Sequence, residues 1–488
     1  MFPSFCPLDR VADFPLPAEG LTGDDPCKVN PFIMAEKNKS SHDFDRRKFI
    51  RTAAGASAAA TAFAGAAKGA GVDPDKKLKV GFIGTGGRGT GAAAQALSAD
   101  DNIELYAMAD VFQEKIDKSL ETLSKNKSLE GKITVPSDRQ YVGLDAYKRV
   151  LDSDVDVVLL TTTPGFRPLH LRAAVEAGKH IFAEKPMAVD AAGVRHVYET
   201  LKMAEGKPLS IVAGFCWRYS PSRREAYRKV MEEGLIGDIT SIYATYYSGH
   251  SKPHLDPSLR TDGMTDIEWQ IRNWYNYTWL GGGGLVEQAV HSVDKIGWVM
   301  GDTSPIQCRA TGGLAAPQAG SGNIFDHYHI AYEYPNNVWC HLASRKTPGC
   351  LNENADYVRG TKGTLIIGRG PDPYIEDNDG NLLWRYRKPR SGEPNMYQVE
   401  HDELFESIRT GNHINDGDRM IHSSMMAIMG RISAHTGKGV TWEEAMDAGE
   451  DLFVDEGNMQ WDQSYDPGSV AVPGVTEIPG IGDAEKKA

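Results

Sequence analysis

A chain of 488 residues, with 53 basic against 66 acidic side chains and a net charge of −13, is long enough for two or three domains and a large core. The acidic balance excludes a polyanion-binding surface, and nucleic acid as a partner with it. Six scattered cysteines exclude a disulfide framework, and two buried thiols at Cys340 and Cys350 are expected rather than a bridge between them.

Residues 1–72 differ in composition from the rest and read as a leader. They hold Arg46-Arg47-Lys48-Phe49-Ile50 and then a weakly apolar run from Thr52 to Ala67, the pattern of a twin-arginine export signal. No window reaches the ~18 strongly apolar residues of a spanning helix. The expectation is a protein passed to the twin-arginine export machinery and working in the periplasm, with no membrane span in the mature form and a start at Met1 or Met34. Because that route carries folded proteins, a cofactor made in the cytoplasm is expected to be tightly bound before export.

From Leu78 the run Leu-Lys-Val-Gly-Phe-Ile predicts a strand that leads into Gly84-Thr85-Gly86-Gly87-Arg88-Gly89 and a helix from Thr90 to Ser98. This is G-x-G-x-x-G between strand and helix: Gly84 permits the tight turn, Gly86 lets backbone approach a pyrophosphate, Gly89 allows close helix packing, and the helix N-terminus faces the phosphate charge. A second strand, Ile103 to Ala109, ends at Asp110, where a carboxylate accepts from ribose hydroxyls and repels a 2′-phosphate. NAD is therefore expected over NADP. Strands over Val155–Thr161, His180–Ala183 and Leu209–Phe215, with helices after His170 and from Ala191 to Glu205, complete a doubly wound half.

Beyond Arg218 the rhythm changes. Ile239–Tyr247, Tyr328–Tyr334, Val338–Ser344, Tyr357–Gly360 and Thr364–Ile367 are strand-like, with Gly, Pro and Asn between them. Helices are expected at Ser222–Glu233, after the glycine run Gly281–Gly284, and over Glu400–Thr410 and Arg419–Thr436. The fold class is α/β: an N-terminal Rossmann doubly wound parallel sheet at 77–217, a C-terminal α+β domain with an open, mainly antiparallel sheet at 218–450, and a tail at 451–488.

The glycine fingerprint is followed in order by Thr163-Pro164 with His170, Ala177-Gly178-Lys179-His180, Glu184-Lys185-Pro186, Trp217-Arg218-Tyr219-Ser220-Pro221, and Gly282-Gly283-Gly284 with Glu287, His291 and Asp294. This series resembles the Gfo/Idh/MocA oxidoreductase family over about residues 78 to 450. The resemblance implies a cleft between the two domains with Lys185 and His291 facing a nicotinamide, a subunit interface on the open sheet and hence a homo-oligomer, and a sugar or polyol as substrate. The family's usual aspartate is Glu287 here, a departure shared by a subgroup of exported members that carry Trp269-Gln270-Ile271-Arg272-Asn273-Trp274.

Oxidising a secondary alcohol requires hydride to leave carbon while a base takes the hydroxyl proton, and an imidazole titrating near ambient pH suits that task. His291 is the expected base. Glu287, four residues earlier on the same helix face, is expected to orient it, and Lys185 to stabilise the developing alkoxide. Cofactor contacts are assigned to Gly84, Gly86, Gly87, Arg88, Gly89, Asp110, Thr163, Pro164, His170, Glu184, Lys185 and Arg218; substrate contacts to Arg272, Trp274 and His291. No metal is expected, since His327 and His329 share a strand face without a third ligand. Two other schemes fit the same residues: an NAD-dependent glycosidase working by transient oxidation, elimination, hydration and reduction, and a carbohydrate-binding protein that keeps the fold without turnover.

Overall fold

Six strands form the first sheet of the computed structural model, which describes residues 71–482 except 253, 318–319, 321, 451 and 455–458. The twin-arginine motif lies outside the described residues. β1 (Leu78–Ile83), β2 (Ile103–Asp110), β3 (Gln140–Val142), β4 (Val157–Leu160), β5 (His180–Ala183) and β6 (Ile211–Ala213) assemble in the order β3-β2-β1-β4-β5-β6. Every neighbour pair is parallel. Helices cover both faces, so a central strand such as β4 is apolar at each position, with all four residues at 0% exposure. Strand order reverses beside β1, and the crevice at the carboxyl ends of β1 and β4 is the switch point where such sheets take ligands.

The second sheet contains β7 (Ile239–Ser248), β8 (Gln307–Gly313), β9 (His327–Tyr334), β10 (Val338–Lys346), β11 (Asp356–Gly360), β12 (Gly363–Ile367), β13 (Tyr374–Asp377), β14 (Leu382–Arg385) and β15 (Val440–Thr441), in the order β14-β13-β12-β11-β7-β10-β9-β8-β15. Its pairs are antiparallel except β7–β10, which is parallel. Along β9 the side chains alternate: Tyr328, Ile330, Tyr332 and Tyr334 are buried, while His327 and His329 face outward. The helix Gly417–Thr436 is enclosed along almost its whole length and packs against both β8 and the helix Ala191–Ala204. Gly430 permits this approach, because a Cβ there would stand 3.1 Å from both Ile330 and Tyr332.

Two late segments return to the first sheet's territory. The helix Met396–Thr410 places Leu404, Phe405 and Ile408 in one core with Val80, Ala92 and Ala96, so the first domain is completed by residues far along the chain. Residues after 451 lie against the body: Trp461 is 6.0 Å from the Phe112 ring and Tyr465 4.5 Å from the Trp279 ring. Cys340 is buried and Cys350 exposed, both as free thiols, which corrects the expectation of two buried ones.

Candidate functional site

The glycine loop separates into packing and open positions. Gly84 has φ of 93°, and a Cβ on it would lie 2.5 Å from the Thr162 amide nitrogen. At Gly89 a Cβ would meet Gly84 O at 2.3 Å and Thr161 Oγ1 at 2.4 Å, so the helix Gly87–Ser98 can sit on the strands only without one. Gly86 and Gly87 face open space, with nothing within 4 Å of a Cβ. That is the side on which an anion would meet the helix N-terminus.

Asp110 closes β2 under this loop. Its Oδ2 accepts from the Thr85 backbone N–H at 2.6 Å and from Thr85 Oγ1 at 3.1 Å, and its Oδ1 accepts from the Phe112 N–H at 3.1 Å. Burial raises its pKa against these bonds. A carboxylate offers about four acceptor positions, which leaves room for a ribose hydroxyl beside the loop contacts. Thr163 Oγ1, after β4, is buried without a hydrogen-bond partner. His170 Nδ1 lies 3.0 Å from Thr162 Oγ1, its ring is 4.2 Å from Tyr147, and burial lowers its pKa to about 3, so it stays neutral. Pro164 opens the buried turn between β4 and the helix that carries His170. Open glycine positions, an acceptor at the end of β2 and an orphaned hydroxyl at the end of β4 fit a dinucleotide.

Arg88 has a different place from the one expected. Its Nε donates to Glu184 Oε1 at 2.5 Å and an NH2 group donates to Glu400 Oε1 at 3.0 Å. Arg88 thus ties the glycine loop to the segment that carries Lys185. Glu400 is fully buried, and burial together with nearby Glu184 drives its pKa well up.

Lys185 follows β5 at the carboxyl edge of the sheet. Its ammonium donates to the Glu287 backbone carbonyl and to Glu287 Oε1, the latter at 3.0 Å, with the two side chains 9% and 10% exposed. Glu287 was expected to orient His291. It holds Lys185 instead, and the cause is local: Leu285–Ala289 form a π turn before the helix Val290–Val299 begins. Glu287 Oε2 and His291 Nδ1 are both buried without partners. The His291 pKa falls well below 6.5 through burial and then through the charges of Lys185, Lys295, Arg88 and Lys346, so the ring is neutral.

Four further residues complete the group. Tyr246 donates to Gln288 Oε1 at 2.8 Å, Tyr275 lies 3.3 Å from Ser251 Oγ, and Lys346 Nζ donates to Ser248 Oγ at 2.9 Å. Lys252 stands over the Trp274 ring at 4.8 Å, which brings Trp274 to the rim of the site. Glu287 acts electrostatically on Tyr246, Tyr275, Lys252 and Lys346, which places all four around it.

Two expected contacts lie elsewhere. Arg218 is committed to Asp294 at 2.8 Å and to both oxygens of Asp302, at 3.1 and 2.5 Å; these carboxylates raise its pKa although burial alone would lower it. It is an interior strut rather than a cofactor ligand. Arg272 stacks over the Phe112 ring at 3.8 Å and pairs with Glu114 and Glu268, which puts it beside the Asp110 turn and not beside Lys185. Among the described residues no group of three or more His, Cys, Asp or Glu side chains is placed to hold a metal, and no helix is long and apolar enough to cross a membrane. His327 Nδ1 pairs with Asp326 at 2.7 Å, and His329 stacks on His341 at 5.6 Å.

Residues 78–211 match the family model "Oxidoreductase family, NAD-binding Rossmann fold", and residues 225–366 match "GFO/IDH/MocA C-terminal domain". A myo-inositol 2-dehydrogenase of Thermotoga maritima is 25% identical over 225 residues, 46% of this chain and 55% of that protein. A levoglucosan dehydrogenase of Pseudarthrobacter phenanthrenivorans is 27% identical over 240 residues, 44% of this chain and 56% of that one. The chain thus spans little more than half the length of these curated relatives. Among solved structures, a levoglucosan dehydrogenase in complex with NADH and levoglucosan superposes with a TM-score of 0.58 at 18% identity, covering 75% of this chain and 99% of the other. An aldose-aldose oxidoreductase from Caulobacter crescentus gives 0.57 at 18% identity, covering 75% and 100%. At such identities the superpositions show the fold.

Proposed function

Because the chain belongs to the Gfo/Idh/MocA oxidoreductase family, we propose that it is a nicotinamide-dependent dehydrogenase acting on a secondary alcohol of a sugar or polyol. The observation that carries this reading is Lys185: a lysine at the carboxyl edge of the parallel sheet, held by the Glu287 carboxylate at 3.0 Å and acting electrostatically on a neutral imidazole, His291, whose Nδ1 has no hydrogen-bond partner. A bound nicotinamide would supply the hydride acceptor for the alcohol carbon, or the hydride donor for a ketone. Gly86, Gly87, Asp110 and Thr163 hold the dinucleotide, with NAD favoured over NADP by the Asp110 charge. Lys185 donates a hydrogen bond to the reacting oxygen and stabilises negative charge on it. Glu287 fixes the lysine's position. His291 begins neutral and takes the hydroxyl proton; burial and the surrounding cations disfavour its charged form, so it releases that proton to solvent and returns to the neutral ring.

The proposal extends to setting. Arg46-Arg47 and the apolar run after them support export to the periplasm by the twin-arginine route, with the cofactor bound tightly beforehand. The outward face of the second sheet carries Tyr243, 40% exposed and stacked on Tyr357, which supports pairing of that face in a homo-oligomer.

The test is to measure the nicotinamide that co-purifies with the protein or binds on adding NAD, and to follow the reduced-nicotinamide absorbance during addition of sugars and polyols, alongside Lys185→Ala. The expected result is an absorbance band that rises with a subset of sugars in the wild type, and a variant that binds NAD but does not turn over. Failure to bind any nicotinamide, or undiminished turnover by the variant, overturns the reading.

A further inference from the structure

Lys346 closes β10 inside the candidate site, and its side chain is unusual in what it lacks. It is 6% exposed, yet its ammonium meets only neutral groups: Ser248 Oγ at 2.9 Å, Ser251 Oγ at 3.2 Å and the Tyr246 ring at 4.5 Å. Among the described residues no carboxylate lies within ion-pair distance of it. Lys295, buried in the same domain, is paired with Asp356 at 2.7 Å, and Lys185 is paired with Glu287 at 3.0 Å. A buried ammonium without a counter-charge is costly, and buried charges in folded proteins are ordinarily paired.

The surroundings sharpen the imbalance. Glu287 is the carboxylate that acts on Lys346, and it is already bound to Lys185. Lys252, over Trp274, adds a further cation on the same side. Three ammonium groups thus face one carboxylate, and His291 beside them is neutral. The glycine run makes room for this arrangement, since a Cβ at Gly284 would press to 3.3 Å of Lys346 Cγ. The segment that presents Glu287 is shaped to admit the lysine stem.

We infer that Lys346 is the receptor for an oxyanion on the substrate, so that the natural substrate is an acidic sugar, bearing a carboxylate or a phosphoryl group, rather than a neutral one. The inference rests on the proposed function insofar as it takes the cleft to be a sugar site. A hydrogen bond between charged partners in a largely desolvated site contributes about 1.5–3 kcal/mol, which is roughly tenfold to a hundredfold in affinity.

The experiment measures binding by calorimetry to NAD-loaded protein, using D-glucose, D-glucuronate and D-glucose 6-phosphate as probes, with wild type, Lys346→Gln and Lys346→Arg. In the wild type, at least one anionic probe should bind about tenfold or more tighter than glucose, and which one does so separates a carboxylate from a phosphoryl preference. The preference should collapse in Lys346→Gln and persist in Lys346→Arg. If glucose binds as tightly as both anionic probes in the wild type, the inference is overturned and the sugar reading stands, and this comparison needs no variant to fold. An equal preference in Lys346→Gln assigns the anion to another residue and also overturns it. If none of the three binds, the reading of the cleft as a sugar site fails with it.

Discussion

Alanine at Gly86 and at Gly89 should separate cofactor binding from folding within one six-residue loop. At Gly89 the added methyl would lie 2.3 Å from Gly84 O, 2.4 Å from Thr161 Oγ1 and 2.7 Å from Phe82 Cε2. All three neighbours belong to the loop, to β1 or to the residue that follows β4, so relief requires the helix to lift from β1 and β4. Overpacking of this kind costs about 1–3 kcal/mol and more where backbone must move. The shift per kcal/mol falls with chain length and is about 2–4 °C at 150–250 residues, so in this longer chain Gly89→Ala should melt measurably, by a degree or more, below wild type. At Gly86 the methyl meets nothing within 4 Å, and its backbone φ of −67° and ψ of −178° suit alanine. Gly86→Ala should therefore melt at or slightly above the wild-type temperature, since alanine loses less entropy on folding. It should bind NAD at least tenfold more weakly (about 1.4 kcal/mol) because the methyl occupies the path by which the loop approaches pyrophosphate. Thermal melts and NAD titration on the same preparations give both readouts. Gly86→Ala with wild-type NAD affinity would show that the open face of the loop is not the pyrophosphate site, and Gly89→Ala with a wild-type melt would refute the packing argument.

Three further outcomes follow from the same geometry. Arg218→Ala strands Asp294, whose side chain is 0% exposed, and frees Asp302; it should destabilise the fold by about 3–5 kcal/mol in urea titration while NAD affinity of the folded protein stays unchanged, whereas a selective loss of affinity would return Arg218 to the cofactor site. Asp110→Asn keeps an acceptor for Thr85 and removes the charge, so the NADP-to-NAD affinity ratio should rise about tenfold; an unchanged ratio would mean that Asp110 only supports the loop. Burial holds His170 and His435 at about 3 and His180 and His422 at about 4, all below the ordinary value of 6.5. The unfolded chain then binds more protons than the fold between those values, so the stability from each neutral ring is complete above about pH 6.5 and declines as pH falls. The decline amounts to about 2 kcal/mol per histidine at pH 5. Melts at pH 7.5 and 5 should differ accordingly, and equal melting temperatures would contradict neutral burial.

What the sequence disclosed and what it withheld divide along the range of the interactions involved. The placement of the glycine fingerprint, Asp110 and Lys185 was legible because each depends on a single strand-to-loop junction, and a strand buried on both faces announces itself as an unbroken apolar run. The alternating β9 and β10 were legible for a similar reason, whereas β3 with three residues and β15 with two are too short to show any period. The role of Glu287 was not legible. Its spacing from His291 pointed to a pair on one helix face, but the partner that claims it is Lys185, 102 residues earlier, and the π turn that permits this has no local signature. Arg218 misled in the same manner, since its position in Trp-Arg-Tyr-Ser-Pro gives no sign of Asp294 and Asp302, which lie 76 and 84 residues away.

Lys346 carries that logic furthest. It reaches the site because β10 pairs in parallel with β7 and sets Lys346 opposite Ser248, one of the two serines that receive its ammonium. Parallel pairing between strands separated by two others in sequence follows from no pattern within either strand. Once that register is in place, an ammonium that read as one lysine among many in an acidic chain becomes a buried charge without a partner. The charge balance of the whole molecule, net −13, and that of the cleft, three lysines to one glutamate, have opposite signs. Composition excludes polyanion partners for the surface, but it carries no information about the sign of a site that holds a few of the charges. A cleft of that kind inside an acidic protein draws small anions in locally while the surface repels them at long range. Its association rate with an acidic sugar should therefore rise, not fall, as added salt screens the surface.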